Sequence, residues 1–203
     1  MIAEPLPPPA ARVGLNAKPA WSELAFLITV LSALQAGGAA LKMAWRYDRS
    51  ALAHGQWWRL ETAHWVHWGW DHWAMNVAGL AGLWWLYAPL ASRLQWLCLT
   101  LGCGLGISLG LYAFSPEVSW YVGLSGVLHG YWAAAALMLW RVNRLEAVGA
   151  AALLMLKLAF EYLHGPVSVD PSPTLTVITA AHRWGALSGA LSALAVCARR
   201  IWL

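Results

Sequence analysis

The stretch WYVGLSGVLHG, residues 120–130, places one hydroxyl, Ser125, between Gly123 and Gly126 at the point where a loop gives way to an apolar helix. A serine there can sit on a sharply turned backbone, with free N–H groups beside it and the positive end of a helix dipole beneath it. Those are the parts a serine nucleophile and an oxyanion hole require. The string is short, however, and small residues also let membrane helices pack closely. The rest of the chain has to decide between the two readings.

The 203 residues are 60% hydrophobic and only 11% charged, with a mean hydropathy of +0.54. A soluble domain of this length would carry roughly twice that charge fraction. The composition is that of an integral membrane protein of one multi-helix domain. The net charge of +4 comes from scattered Lys and Arg residues, which argues against nucleic acid as a partner. Cys98, Cys103 and Cys197 lie in apolar stretches and form no disulfide or zinc pattern, so they read as small packing residues. The 16 tryptophans gather at segment ends and within residues 57–85, as aromatic belts at membrane interfaces do.

Residues 1–19 hold five of the ten prolines, with Arg12 and Lys18, and read as a flexible cytoplasmic arm; residues 20–203 read as the membrane domain. An apolar run over about 20–40 is long enough to span and, following that arm, is not a cleaved leader. A tryptophan-rich polar segment, about 42–69, follows as a structured interfacial loop. Further apolar runs at about 70–90, 94–114, 122–140, 145–163 and 176–197 bring the expected number of spans to six. With the N-terminus in the cytoplasm, the short cytoplasmic pieces carry Arg93, Arg141, Arg144, Arg199 and Arg200. The bases on the other side are nearly matched by acids. The basic bias therefore favours both termini inside, with Ser125 near the outer face.

Polar groups inside spans are costly and mark function or tight pairing. His67 precedes the second span, and His72 and Asn76 lie four apart on one helical face of it. The fourth span opens with Ser125 and carries His129 one turn later. The sixth opens with Ala181-His182, followed by Gly185 and Gly189, a GxxxG face that lets its helix approach a neighbour closely. The topology above brings all of these to one depth, the outward end of the bundle. Lys157 and Glu161, one turn apart in the fifth span, read as a structural pair, with a catalytic carboxylate as the lesser alternative. His54 and His64 read as interfacial. The crowding of His64, His67, Asp71 and His72 admits a metal reading, but neither HExxH nor a cysteine pair accompanies it. No metal or cofactor is expected.

These residues together resemble a rhomboid intramembrane serine protease: His67, His72 and Asn76 before and in helix two, GLSG at 123–126 in helix four, and AHxxGxxxG at 181–189 in helix six. Trp58-Arg59 is similar to the pair that opens the family's interfacial loop, and the likeness covers about residues 20–200. Within the family, the small size and His129 look most like the rhombosortase branch.

The resemblance implies a six-helix all-α bundle with an interfacial loop between helices one and two. It makes Ser125 the nucleophile and His182 the general base. His72, Asn76 and the Ser125 N–H would bind the oxyanion. His67 would tie the loop to the core, and His129 would stack beneath His182. On residue chemistry alone, His129 could also reach Ser125 as base, since helical side chains lean toward the preceding turn. No Asp is placed to orient the base, so the reading is a dyad. Arg183 departs from the apolar residue usual after the base. Implied substrates are transmembrane proteins with C-terminal Gly-Gly-type tails, cut near the outer face of a bacterial inner membrane, with the loop 165–173 as part of a gate. Two other readings stay open: an inactive rhomboid-like protein that binds transmembrane helices, and a metal- or haem-binding membrane protein.

Overall fold

The computed structural model describes residues 21–166 and 177–202. The proline-rich arm and most of the expected gate loop lie outside the described residues. The elements, in order, are α1 (Trp21–Ala36), α2 (Gly38–Trp45), β1 (Tyr47–Asp48), α3 (Arg49–Ala53), α4 (Arg59–Thr62), α5 (Trp70–Tyr87), α6 (Arg93–Phe114), β2 (Trp120–Tyr121), α7 (Ser125–Leu139), α8 (Arg144–His164) and α9 (Thr179–Trp202). Each apolar run of the sequence contains a helix. The architecture is helical throughout, apart from one two-residue ladder.

Among the described residues, α6 and α8 are each long and apolar enough to cross a membrane. The first apolar run does not form the single straight span expected of it. It breaks into α1 and α2, bent by 106°. The cause is local: Gly38 has φ +73°, a left-handed conformation that ends a helix cheaply only at glycine. At 15 residues, α7 is about 22 Å long and cannot by itself cross a hydrocarbon core about 30 Å thick. An extended segment through β2 delivers the chain to its start.

Helix starts are set by side chains that accept from the first free N–H groups. Ser92 and Gln95 form a reciprocal capping box at α6. Asn143 caps α8 through Glu146 N–H, and Asp48 caps α3 through Ala51 N–H. Arg93 at the start of α6 pairs with Glu23 at the start of α1, so these two helices begin on the same side of the bundle. Leu94, Leu153 and Leu156 are each more than half exposed on the outer faces of α6 and α8, as side chains facing lipid would be.

The segment between α2 and α5 is tied down almost entirely through backbone carbonyls. Arg49 donates to the carbonyls of Leu111, Tyr112 and Ser115 at 2.7–2.9 Å, capping the end of α6. Buried Arg59 donates to Met43 O and Arg46 O at 2.9 and 2.8 Å, satisfying the end of α2. His64 is not interfacial but buried. Its Nε2 lies 2.9 Å from Gly104 O and 3.1 Å from Ser108 Oγ. β1 pairs antiparallel with β2, setting Tyr47 against Tyr121 and Asp48 against Trp120, and Gly123 N–H donates to Ala63 O at 2.9 Å. The loop therefore holds the strand that leads into Ser125.

The closest helix pair is α7 with α9. A Cβ placed on Gly185 would collide with the carbonyl of Gly126, and one on Gly189 with the carbonyl of Gly130. Backbone touches backbone along this seam, which only glycine allows.

Two outcomes are expected. Gly185→Ala should lower the thermal midpoint in detergent, with an overpacking cost of about 1–3 kcal/mol or more. Gly149→Ala, where an added Cβ meets nothing within 4 Å, should be neutral or slightly stabilising. Equal behaviour of the two variants would contradict the seam. In the loop, burial pushes Glu61 up to about 7, against a backbone hydrogen bond at Leu105 that lowers it. The folded state then holds this proton where the unfolded chain has lost it, so the benefit of neutral Glu61 is lost as pH rises from about 4.5 through 7. Glu61→Gln should therefore gain thermal stability relative to wild type across that window and keep a constant advantage above it.

Candidate active site

The sharp turn at Gly123 starts the site. Its φ of +120° is a conformation L-residues rarely adopt. A Cβ there would also stand 2.5 Å from Cε1 and 2.8 Å from Nε2 of His72. Tyr121 hydroxyl donates to Gly123 O at 2.6 Å and steadies the turn. Two residues later α7 begins at Ser125; its N-cap residue, Leu124, offers no side-chain hydrogen bond, and the Gly126 N–H donates to the Tyr121 hydroxyl at 3.4 Å.

The glycine seam presses the start of α9 against the start of α7. As a result Ser125 Oγ lies 3.0 Å from His182 Nε2. His182 is buried, and its ring stacks on His129 at 4.1 Å between centroids, the planes 12° apart. His129 Nδ1 donates to the carbonyl of Ser125 at 2.7 Å. Its hydrogen-bonding edge is thus turned to the backbone, while the serine hydroxyl meets His182 on the facing helix.

The far edge of His182 meets a carboxylate that reading the sequence did not assign to it. Glu161 Oε2 lies 2.8 Å from His182 Nδ1. Its other oxygen, Oε1, accepts from Lys157 Nζ at 2.6 Å. The pairing within α8 was legible from the i,i+4 spacing; the contact to α9 was not. The sequence offered no Asp for the outer nitrogen of this ring; the carboxylate found against it is a Glu, from α8.

On α5, Trp68 N–H lies 3.4 Å from His72 Nδ1. That nitrogen accepts, so Nε2 carries the proton on the side facing Gly123. Asn76 is buried, and its Nδ2 donates to His72 O at 2.8 Å. His67 is fully buried and meets His72 edge-on, 5.2 Å between centroids. Burial pushes it down to about 3, so it packs as a neutral ring. Neither of its ring nitrogens has a hydrogen-bond partner, whereas His64, three residues earlier, does bond the loop to α6. Gly126 and Gly130 face Gly185 and Gly189 along the seam. Arg183 lies over the Tyr162 ring at 5.6 Å.

Among the described residues, His129, Glu161 and His182 bring ligand-type atoms within 4.8 Å of one another. Coordination favours ring nitrogens aimed in-plane at a common point. Here the two imidazoles lie face to face, and Nδ1 of each is already engaged. The arrangement suits a hydrogen-bonded relay better than a shared ion.

A cavity of about 500 Å³ opens between α5 and α8, lined by Gly79, Gly82, Leu83, Trp132, Gly149 and Leu153 among others. Small residues on both walls leave room for an apolar segment to lie close.

Comparison with known proteins places the chain in a family. Residues 54–199 match the family described as "Rhomboid domain". A Bacillus subtilis (strain 168) protein named "Putative rhomboid protease YdcA" is 28% identical over 116 residues, which cover 55% of this chain and 56% of that protein. The chain thus spans about half the length of this curated relative. The family match takes in α5 to α9 with Ser125, His129, Glu161 and His182, and on it the chain is a membrane protein belonging to the rhomboid family.

Proposed function

We propose that this protein is an intramembrane serine endopeptidase that cuts the transmembrane or juxtamembrane segment of membrane-anchored proteins. The observation that carries the proposal is the 3.0 Å contact between Ser125 Oγ and His182 Nε2, made across two helices in backbone contact. His182 takes the Ser125 proton as the hydroxyl oxygen attacks the scissile carbonyl. His182 then returns that proton to the leaving amine, and water, activated the same way, hydrolyses the acyl-enzyme. The tetrahedral oxyanion receives hydrogen bonds from the Ser125 N–H, His72 and Asn76. Each such donor contributes roughly 3–4 kcal/mol in a water-poor site. His129 carries the base on its face.

In this reading six helical segments cross the bilayer: α1 with α2, then α5, α6, α7, α8 and α9. Both termini and the 1–19 arm are cytoplasmic, and the site opens to the periplasm of a bacterial inner membrane. The basic residues at Arg93, Arg141 and Arg144 support this orientation. The cavity between α5 and α8 fits it as well. It reaches Tyr87 and Glu146, the cytoplasmic ends of those helices, and so offers a bed for the uncut part of a substrate helix whose outer end lies at Ser125. Lipids complete the surround. Neither nucleic acid nor a cofactor takes part. Substrates with a C-terminal Gly-Gly-type motif, a transmembrane helix and a basic cluster fit a protein-sorting role of the rhombosortase kind.

Labelling of detergent-purified protein by a fluorophosphonate tests the assignment. Label should vanish in Ser125→Ala and His182→Ala and persist, at a reduced rate, in His129→Ala. Loss in His129→Ala with retention in His182→Ala would move the base to the same helix as the serine. Full labelling of Ser125→Ala would refute the peptidase. His72→Ala and Asn76→Ala should each lower turnover of a transmembrane reporter by about 10²–10³ without changing the thermal midpoint greatly.

A further inference from the structure

We propose that Glu161 is the positioning carboxylate of the Ser125–His182 pair, and that Lys157 dictates which edge of Glu161 the histidine meets. The proposal rests on the peptidase reading above and extends it from two residues to a four-member relay across α7, α9 and α8.

Glu161 is 3% exposed at its side chain on a helix whose neighbouring side chains Phe160 and Tyr162 are largely exposed apolar groups. Both of its oxygens are committed. Oε1 accepts from Lys157 at 2.6 Å, and Oε2 faces His182 Nδ1 at 2.8 Å. A carboxylate so enclosed is tolerated because a cation one turn away neutralises it. An ionised carboxylate only accepts, so His182 Nδ1 must carry the proton, leaving the lone pair on Nε2 for the Ser125 hydroxyl. His129, stacked at 4.1 Å, blocks rotation of the ring out of its plane. Glu161 blocks its flip. Among the described residues, the other charged or titratable groups facing this unit include Tyr121 beside Ser125, His72 from α5 and Arg183 on α9 itself, and none of these three is the partner of His182 Nδ1.

Lys157 makes the arrangement testable. In Glu161→Gln the ammonium still needs an acceptor and takes the amide oxygen. The amide NH₂ is then left facing His182 Nδ1, which must accept. The proton moves to Nε2, and the base can no longer receive the serine proton. Removing the lysine as well frees the amide to flip and present its oxygen.

The experiment measures fluorophosphonate inactivation of the purified full chain, with kinact and KI separated. Glu161→Gln should lower kinact by about 10²–10⁴ and leave KI within about threefold. Glu161→Asp should retain more activity than Glu161→Gln, although Gln is the better match in size. The double variant Lys157→Met/Glu161→Gln should recover at least about tenfold over Glu161→Gln alone. A purely structural role for Glu161 predicts the opposite order in both comparisons, and either reversal would overturn the proposal.

Should the variants fail to fold, the wild-type protein answers alone. With ¹⁵N-histidine labelling and assignment by loss of the signal in His182→Gln, His182 should show a protonated Nδ1, and the same in Ser125→Ala. An unprotonated Nδ1 overturns the role of Glu161. Wild type that shows this protonated Nδ1 yet takes no label would leave the relay standing and remove the peptidase reading instead.

Discussion

The contact between the backbones of α7 and α9 is the constraint on which the rest depends. Ser125 and His182 stand 3.0 Å apart because Gly126 and Gly130 on one helix meet Gly185 and Gly189 on the other with no side chain between them. A single Cβ on Gly185 or Gly189 would stand about 2 Å from a carbonyl oxygen of α7 and push the helices apart by more than a hydrogen bond tolerates. In lipid, where apolar side chains gain little by meeting each other, such close packing is among the main sources of helix association. The same seam that holds the bundle therefore sets the distance between Ser125 Oγ and His182 Nε2.

A second requirement follows from the shortness of α7. A helix that starts at Ser125 must receive its chain through non-helical backbone, whose polar groups need partners wherever water is scarce. The loop between α2 and α5 supplies them. β1 pairs with β2, Ala63 accepts from Gly123, and Arg49 closes the carbonyl end of α6 just before the strand. Its basic side chains act here as donors to backbone carbonyls rather than as surface charge. An aromatic, basic loop of this kind is thus part of the site's scaffold, fastened by His64 to α6.

Hydrogen bonds connect Lys157 through Glu161 and His182 to Ser125, with His129 stacked alongside. Along this chain each group is the partner of the next, which is the condition for keeping Glu161 and His182 out of water. α8 packs far less closely on α9 than α7 does, so this polar chain is a principal link between them.

Much of this was legible locally. Apolar runs located the helices because burial in lipid needs a long unbroken stretch, and Gly123–Gly126 with Ala181–Gly189 marked the seam and the two side chains, Ser125 and His182, that meet across it. The bend after Ala36 was signalled by Gly37-Gly38 but hidden inside a run long enough to read as one span. Glu161 and His64 were misread for a different reason. The i,i+4 spacing explains Lys157 with Glu161 completely, and the tryptophans around His64 explain it as interfacial. Each explanation suffices locally, and neither names a second partner on another helix. The sequence by itself determined which segments are apolar, where glycine permits contact, and which side chains can exchange a proton. Only the tertiary structure decided which of those side chains meet, because a hydrogen bond between α8 and α9 depends on the rotation and depth of two packed helices, and neither quantity is written in the spacing of residues along either one.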